Sequence, residues 1–268
     1  MQCDHSILYP LAFQELLTCD FGIQNYVGQG NPSAKILIIG NECTAPEPHY
    51  TFETKQNFAK WQKHCANNDH FDDVQNNEAF DPLWPWKSWV YGGNFKAEGR
   101  NSSRTWNAYQ QLINYLLPED QRALKGQPYN LWQHCFITEL SMNNMPHSPN
   151  KRIEKTAESI NARLLFEDGI LRHEFFQNFP IIILGCYHYK DIYDIDIEKC
   201  FRQKYIDTPY DVKHGKMAEF IHRHIRIDKD TTPHLLLHTN HFCMRSNDFI
   251  YAVGNECKNF LGEYAISI

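Results

Sequence analysis

Apolar residues along this chain come in two forms, short runs and helically spaced sets, and the two alternate. The strand-like stretches lie at 36–39, 135–140, 181–184 and 234–238; the first and third are apolar throughout, the second is interrupted by Thr138 and Glu139, and the fourth is flanked by His234 and His238. Each is too short for a helix and is rich in β-branched or bulky residues, the pattern of a strand covered on both faces. Gly40 ends the first run, and Pro180 and Gly185 bracket the third. Asn31-Pro32-Ser33 predicts a turn into the first strand. Helical spacing predicts a leading helix over 7–19 on Leu8, Leu11, Ala12 and Leu16, with Pro10 in its first turn. A second helix is expected over 52–65 around Phe58 and Trp61. A third over 103–117 has Trp106, Tyr109, Leu112, Ile113 and Leu116 on one face, a cap at Ser102 or Ser103, and a stop at Pro118. Further helices are predicted over 150–177, with a break near Gly169, over 217–225 and over 248–261. Residues 191–212 fit neither period.

Strands alternating with helices predict an α/β fold. The expectation is a single three-layer domain over 1–268, with a central four-stranded, mostly parallel sheet flanked by helices. Right-handed crossovers would bring all the strand ends to one edge. Residues 67–99 are the least regular part and hold Phe71, Phe80, Trp84, Trp86, Trp89, Tyr91 and Phe95. These rings either plug the core or form a stacking surface for a flat ligand.

Composition narrows the function classes. Nine cysteines, an odd number with no CxxC pair, argue for reduced thiols, a cytoplasmic location, and no zinc or iron–sulfur site. No metal or cofactor is therefore expected. No apolar run reaches membrane-spanning length, and the start MQCDHSILYP lacks the basic and long apolar regions of a signal peptide. A net charge of −6 counts against tight binding of a phosphate backbone. The basic residues Lys213, Lys216, His222, Arg223, His224 and Arg226 read as a local patch or a solvated helix face.

Four polar clusters should meet at the carboxyl edge of the sheet, where α/β folds bind ligands. They are Asn41 and Glu42, Glu139 to Asn144, Tyr187 and His188, and His238 to Arg245. A carboxylate facing a histidine across a cleft is a workable acid–base pair. The plainer reading has Glu42 capping or solvating a loop, and Cys43 as a small buried apolar residue. His238-x-x-His241 could be half a metal site, but no Cys or carboxylate follows at ligand spacing. A serine hydrolase lacks its G-x-S-x-G turn here.

The order KILIIGNECTAPEP, RNSSRTW, FITELSMNN, PIIILG and LLLHTNHFCMRS resembles the uracil-DNA glycosylase superfamily. The match covers roughly 34–261 as an ordering of elements, with no motif intact. The prolines of the first loop come late. Glu139 stands where a base-reading Asn is usual, and His238-Thr239-Asn240 stands for His-Pro-Ser. The resemblance implies hydrolysis of the N-glycosidic bond of a flipped base. Glu42 or Asn41 would position water and His238 would stabilise the leaving base. Tyr50, Phe52 or the aromatic loop would stack on the base. Glu139, Asn143, Asn240, His241 and Arg245 would contact substrate. An ionised Glu139 cannot donate to uracil O4, so an amino-bearing base fits better than uracil. Partners implied are single-stranded or damaged DNA, bound weakly, or a nucleotide-like ligand, and no membrane. The alternative keeps the fold without turnover, as a module binding a nucleotide-like or protein ligand.

Overall fold

A computed structural model describes residues 9–22, 26–42, 49–69, 104–123, 129–142, 149–205, 210–214, 217–227, 232–243 and 245–268. At 42, 49–55, 104, 149–152, 210–214 and 217–218 only the backbone is described.

The strands are β1 (Gln29–Gly30), β2 (Ile36–Glu42), β3 (Cys135–Ser141), β4 (Ile181–Leu184), β5 (Lys204–Tyr205), β6 (Tyr210–His214), β7 (Met217–Arg226) and β8 (His234–Thr239). All belong to one sheet, in the order β1-β3-β2-β4-β8-β7-β5, with β6 sharing the outer edge of β7. Strands β3, β2, β4 and β8 are adjacent and parallel, with Ile38 beside Ile137 and Ile183, and Ile183 beside Leu237. Ile36–Ile39, Ile181–Leu184 and Leu235–Leu237 have no exposed surface. This is why their runs are apolar without alternation.

The sheet is larger and more mixed than the sequence predicts. It has eight strands among the described residues, and β1, β5, β6 and β7 pair antiparallel. The expected helix over 217–225 is the long strand β7. Its side chains alternate: Glu219, Ile221 and Arg223 go to one face, Phe220, His222 and His224 to the other. Gly40 does not end β2 either. It pairs with Glu139, and a Cβ there would run into the Glu139 carboxylate, so glycine leaves room for that side chain.

The helices are α1 (Leu11–Leu16), α2 (His49–Asn67), α3 (Arg104–Leu116), α4 (Leu131–His134), α5 (Pro149–Ile160), α6 (Glu174–Gln177), α7 (Tyr189–Ile192), α8 (Ile197–Phe201) and α9 (Asn247–Glu263). Five residues of π-helix, Asn161–Leu165, follow α5. One sheet face carries Leu37 and Phe136, against which Phe13 and Phe175 pack with ring centroids 6.0 and 5.2 Å from Phe136. Helices α3 and α9 pack together on the other face. Arg223 of β7 reaches Glu256 of α9 at 3.1 Å, and the buried Glu219 accepts from Ser246 at the start of α9.

Beyond the short β1, the outer edge of β3 is finished by side chains. Arg163, fully buried, donates from Nε to Glu139 O (3.2 Å) and from Nη1 to Tyr26 O (3.0 Å). Ser159 Oγ accepts from Met142 N–H (2.9 Å). These bonds replace the missing ladder partners of an edge strand. No helix among the described residues is long and apolar enough to cross a membrane.

Candidate functional site

The carboxyl ends of β2, β3, β4 and β8 lie along one edge. Register decides which side chains share a face there. Thr138, Ile39, Leu184 and His238 form one row across the sheet, and His222 of β7 lies opposite His238. By alternation Asn41 joins this face and Glu139 leaves on the other. Their surroundings agree. Glu139 lies by Gly40 and within electrostatic range of Tyr109 on α3. The Tyr109 hydroxyl is held well above its ordinary pKa, chiefly by burial and next by the charge of Glu139. His238 instead sits among Phe220, His222 and the Tyr187 carbonyl. Glu139 and His238 therefore leave on opposite faces of the sheet, because one residue of register separates them.

His238 is 3 % exposed. Its Nε2 lies 3.1 Å from the carbonyl oxygen of Tyr187. A carbonyl only accepts, so Nε2 carries the hydrogen and Nδ1 presents a lone pair. That Nδ1 is buried and has no hydrogen-bond partner. Burial pulls the pKa of His238 down to about 3, against a smaller opposing effect of the Tyr187 bond; His222, His224 and Lys190 lower it further. The imidazole is thus neutral at physiological pH, with its only N–H committed to the backbone. His224, two residues from His222 on the same face, is pulled down to about 4, first by burial, with Glu198 opposing.

Around His238 lies a continuous set of rings. Phe220 is 5.1 Å from His238 and 4.6 Å from His222, and Tyr187 is 5.4 Å from Phe220. Tyr205 continues the line, 6.2 Å from His222 and 5.2 Å from His224. Tyr187 is 39 % exposed and Tyr205 is 37 % exposed, while Phe220 and His222 are half-buried. Tyr187 also holds φ at +46°, a backbone region uncommon for a bulky side chain, and its N–H donates to Thr239 O (3.0 Å).

The other predicted site residues divide as follows. Asn41 is half-buried and its Oδ1 is buried with no hydrogen-bond partner. Glu42 ends β2 opposite Ser141, its side chain outside the described residues. Tyr50 and Phe52 lie in α2 with side chains likewise outside them, as are Asn143 and nearly all of the aromatic stretch 67–99. Asn240 is buried, and its Oδ1 accepts from Phe220 N–H (2.7 Å), so it ties β7 to the end of β8. His241 Nδ1 accepts from Cys243 N–H (3.2 Å), and Arg245 Nε donates to His241 O (3.0 Å). Burial first, and Arg245 next, lower the His241 pKa to about 4. Asn240, His241 and Arg245 hold the loop after β8 in shape through these bonds.

Sequence reasoning did not put Phe220 and His222 at this edge, or Tyr205 next to them. The first two fell in the segment read as helix. The alternation Phe220-x-His222-x-His224 is the signal that would have found them. Among the described residues no three His, Cys, Asp or Glu side chains are arranged to hold a metal ion. Compared with known proteins, the chain matches no family model, no curated protein and no solved structure.

Proposed function

We propose that this chain is a glycosylase-like module that binds a nucleobase or nucleotide-like ligand at the carboxyl edge of its sheet, single-stranded DNA being the macromolecular form. The observation that carries the reading is the ring set of Tyr187, Phe220, His222 and Tyr205, partly exposed beside His238. Flat rings at a strand-end edge suit stacking with a base, and stacking tolerates any base. With a net charge of −6 the chain has little to hold a phosphate backbone, so binding should be weak and salt-sensitive. The test is fluorescence anisotropy with a labelled single-stranded oligonucleotide. Phe220→Ala and Tyr187→Ala should each weaken binding by roughly fivefold to 150-fold, equivalent to about 1–3 kcal/mol per stacked base. Wild-type protein that binds neither oligonucleotides nor nucleotides would end the proposal.

A second reading adds hydrolysis of the N-glycosidic bond. Asn41 favours it: its carboxamide oxygen lies on the His238 face with no hydrogen-bond partner and could orient a water. Water oxygen would bond to the sugar C1′, the C1′–N bond would break with its electron pair leaving on the base, and the proton lost by the water would end, through solvent, on that base. His238 counts against it, because its one N–H is used by Tyr187 and its free lone pair would repel a departing anion. A base-release assay over deaminated and amino-bearing bases separates the readings. Hydrolysis requires release by wild type and its loss in Asn41→Ala or Glu42→Gln. Glu139→Asn should leave base preference unchanged, since Glu139 is on the other face.

A further inference from the structure

A cavity of about 770 Å³ opens at the opposite, amino-terminal edge of the sheet. Its position follows from three strands starting in line. Ile181 N–H donates to Lys35 O (3.0 Å) and Leu235 N–H to Pro180 O (2.8 Å), so Lys35, Pro180 and His234 stand side by side. Arg226 lies opposite His234 in the β7–β8 register. The β5–β7 pairing carries in the turn after α8, where Arg202 caps the helix in the left-handed region at φ +54°.

The described wall of this cavity includes Lys35, Arg202 and Arg226, and no Asp or Glu. Asp228 and Asp230 follow in the chain, outside the described residues, so the charge count is that of the described wall. The Arg226 guanidinium is held in place: Nη2 donates to Gln177 O (3.1 Å) and to Asn178 Oδ1 (3.4 Å). His234 is anchored through Nδ1 to Phe179 O (3.0 Å). Phe175, Phe179 and Pro180 add an apolar side. Three cationic residues and an apolar side lining one cavity, in the volume range of small-molecule sites, suit an anionic ligand with an organic body.

We propose that this cavity binds a phosphate ester of a small organic molecule, the phosphate between Lys35, Arg202 and Arg226 and the organic part against Phe175, Phe179 and Pro180. Arginine's planar fork is the usual partner of a phosphate oxygen pair, and lysine adds a mobile charge. The site is at the other end of the strands from Asn41 and His238, so it stands or falls independently of nucleobase binding.

The test is isothermal titration calorimetry of the full chain with phenyl phosphate, a probe that carries no nucleobase, and with phenol as control. Phenyl phosphate should bind at one site per chain, more weakly as NaCl rises, and phenol should not bind. Lys35 and Arg202 are exposed, so Lys35→Glu with Arg202→Glu should keep the wild-type melting profile while weakening phenyl phosphate about tenfold or more. The same double variant should bind single-stranded oligonucleotide as wild type does. No binding of phenyl phosphate by wild type, equal binding of phenol, or undiminished binding by the double variant would overturn the proposal.

Discussion

Asn57 shows how one buried polar residue can hold a segment that is not a regular strand. It has no exposed surface; its Oδ1 accepts from Val27 N–H (3.0 Å) and Gly28 N–H (3.2 Å), and its Nδ2 donates to Gly28 O (2.8 Å). Trp61 Nε1 donates to the same carbonyl (2.9 Å). These bonds lock Gly28 at φ +137°, where a Cβ would run into Ile137 O of β3. Backbone thus meets backbone, and no side-chain rotation relieves the contact. Gly28→Ala should destabilise the protein by about 1–3 kcal/mol. Gly22→Ala is the control, because Gly22 also has positive φ (+60°) but nothing within 4 Å of its Cβ position. Urea melts of both variants compare a glycine that is both packed and in a glycine-only region with one that is open and in the milder left-handed region. Equal losses would mean that neither the approach to Ile137 nor the glycine-only φ of Gly28 adds to the cost.

Among the elements, the joint between β7 and α9 is the one most open to a direct test. Glu219 is 1 % exposed and takes both the N–H (3.1 Å) and the Oγ–H (2.6 Å) of Ser246, whose Oγ in turn accepts from Phe249 N–H (3.1 Å). A helix cap and a buried carboxylate are therefore one network. Ser246→Ala should cost about 1–3 kcal/mol, since it removes the cap and one bond to a buried carboxyl group. In a Glu219→Gln background the loss should shrink, and an additive double-mutant cycle would show that the two act separately. The same region marks where the sequence misled. Met217, Phe220, Ile221 and Ile225 fit the i, i+3, i+4, i+8 spacing of a helix, yet they form β7. The pattern is ambiguous because both faces of β7 mix polar and apolar residues, as an outer strand with a helix on one side can. The central strands were legible because both of their faces are covered, which keeps Ile36–Ile39, Ile181–Leu184 and Leu235–Leu237 apolar and confines most polar residues to the strand ends. Helix α1 was legible in kind but not in face: Leu11 is 69 % exposed, and Phe13 is buried with Leu16 instead. A common edge for the strand ends could be argued from crossovers, but strand order and register could not. Register alone decides that Asn41 shares a face with His238 and that Glu139 does not.

Across the whole molecule, histidine burial links stability to pH. His238 and His224 are 3 % and 5 % exposed, and burial is the first cause of their folded values of about 3 and about 4. The ordinary value is 6.5. Below pH 6.5 the unfolded chain takes up protons at these positions that the folded chain refuses. Their contribution to stability is therefore full above about pH 6.5 and is lost as pH falls toward 4 and then 3. Each can add a slope of up to about 1.4 kcal/mol per pH unit in that window. Lys190 and His222 push both values down, while Glu198 pushes that of His224 up, so the cluster does not cancel the effect. Urea midpoints measured from pH 4.5 to 7.5 should fall steeply on the acid side. His224→Asn with His238→Asn should flatten that fall while leaving every carboxylate in place, so the difference in slope belongs to the two histidines. Parallel curves would remove them as the source. Because β7 meets β8 at His222 and His238, acid should loosen the ring set before the parallel core, and oligonucleotide binding should decline at a higher pH than the global unfolding transition. Binding that persists until the chain unfolds would place the ligand away from Phe220 and His222.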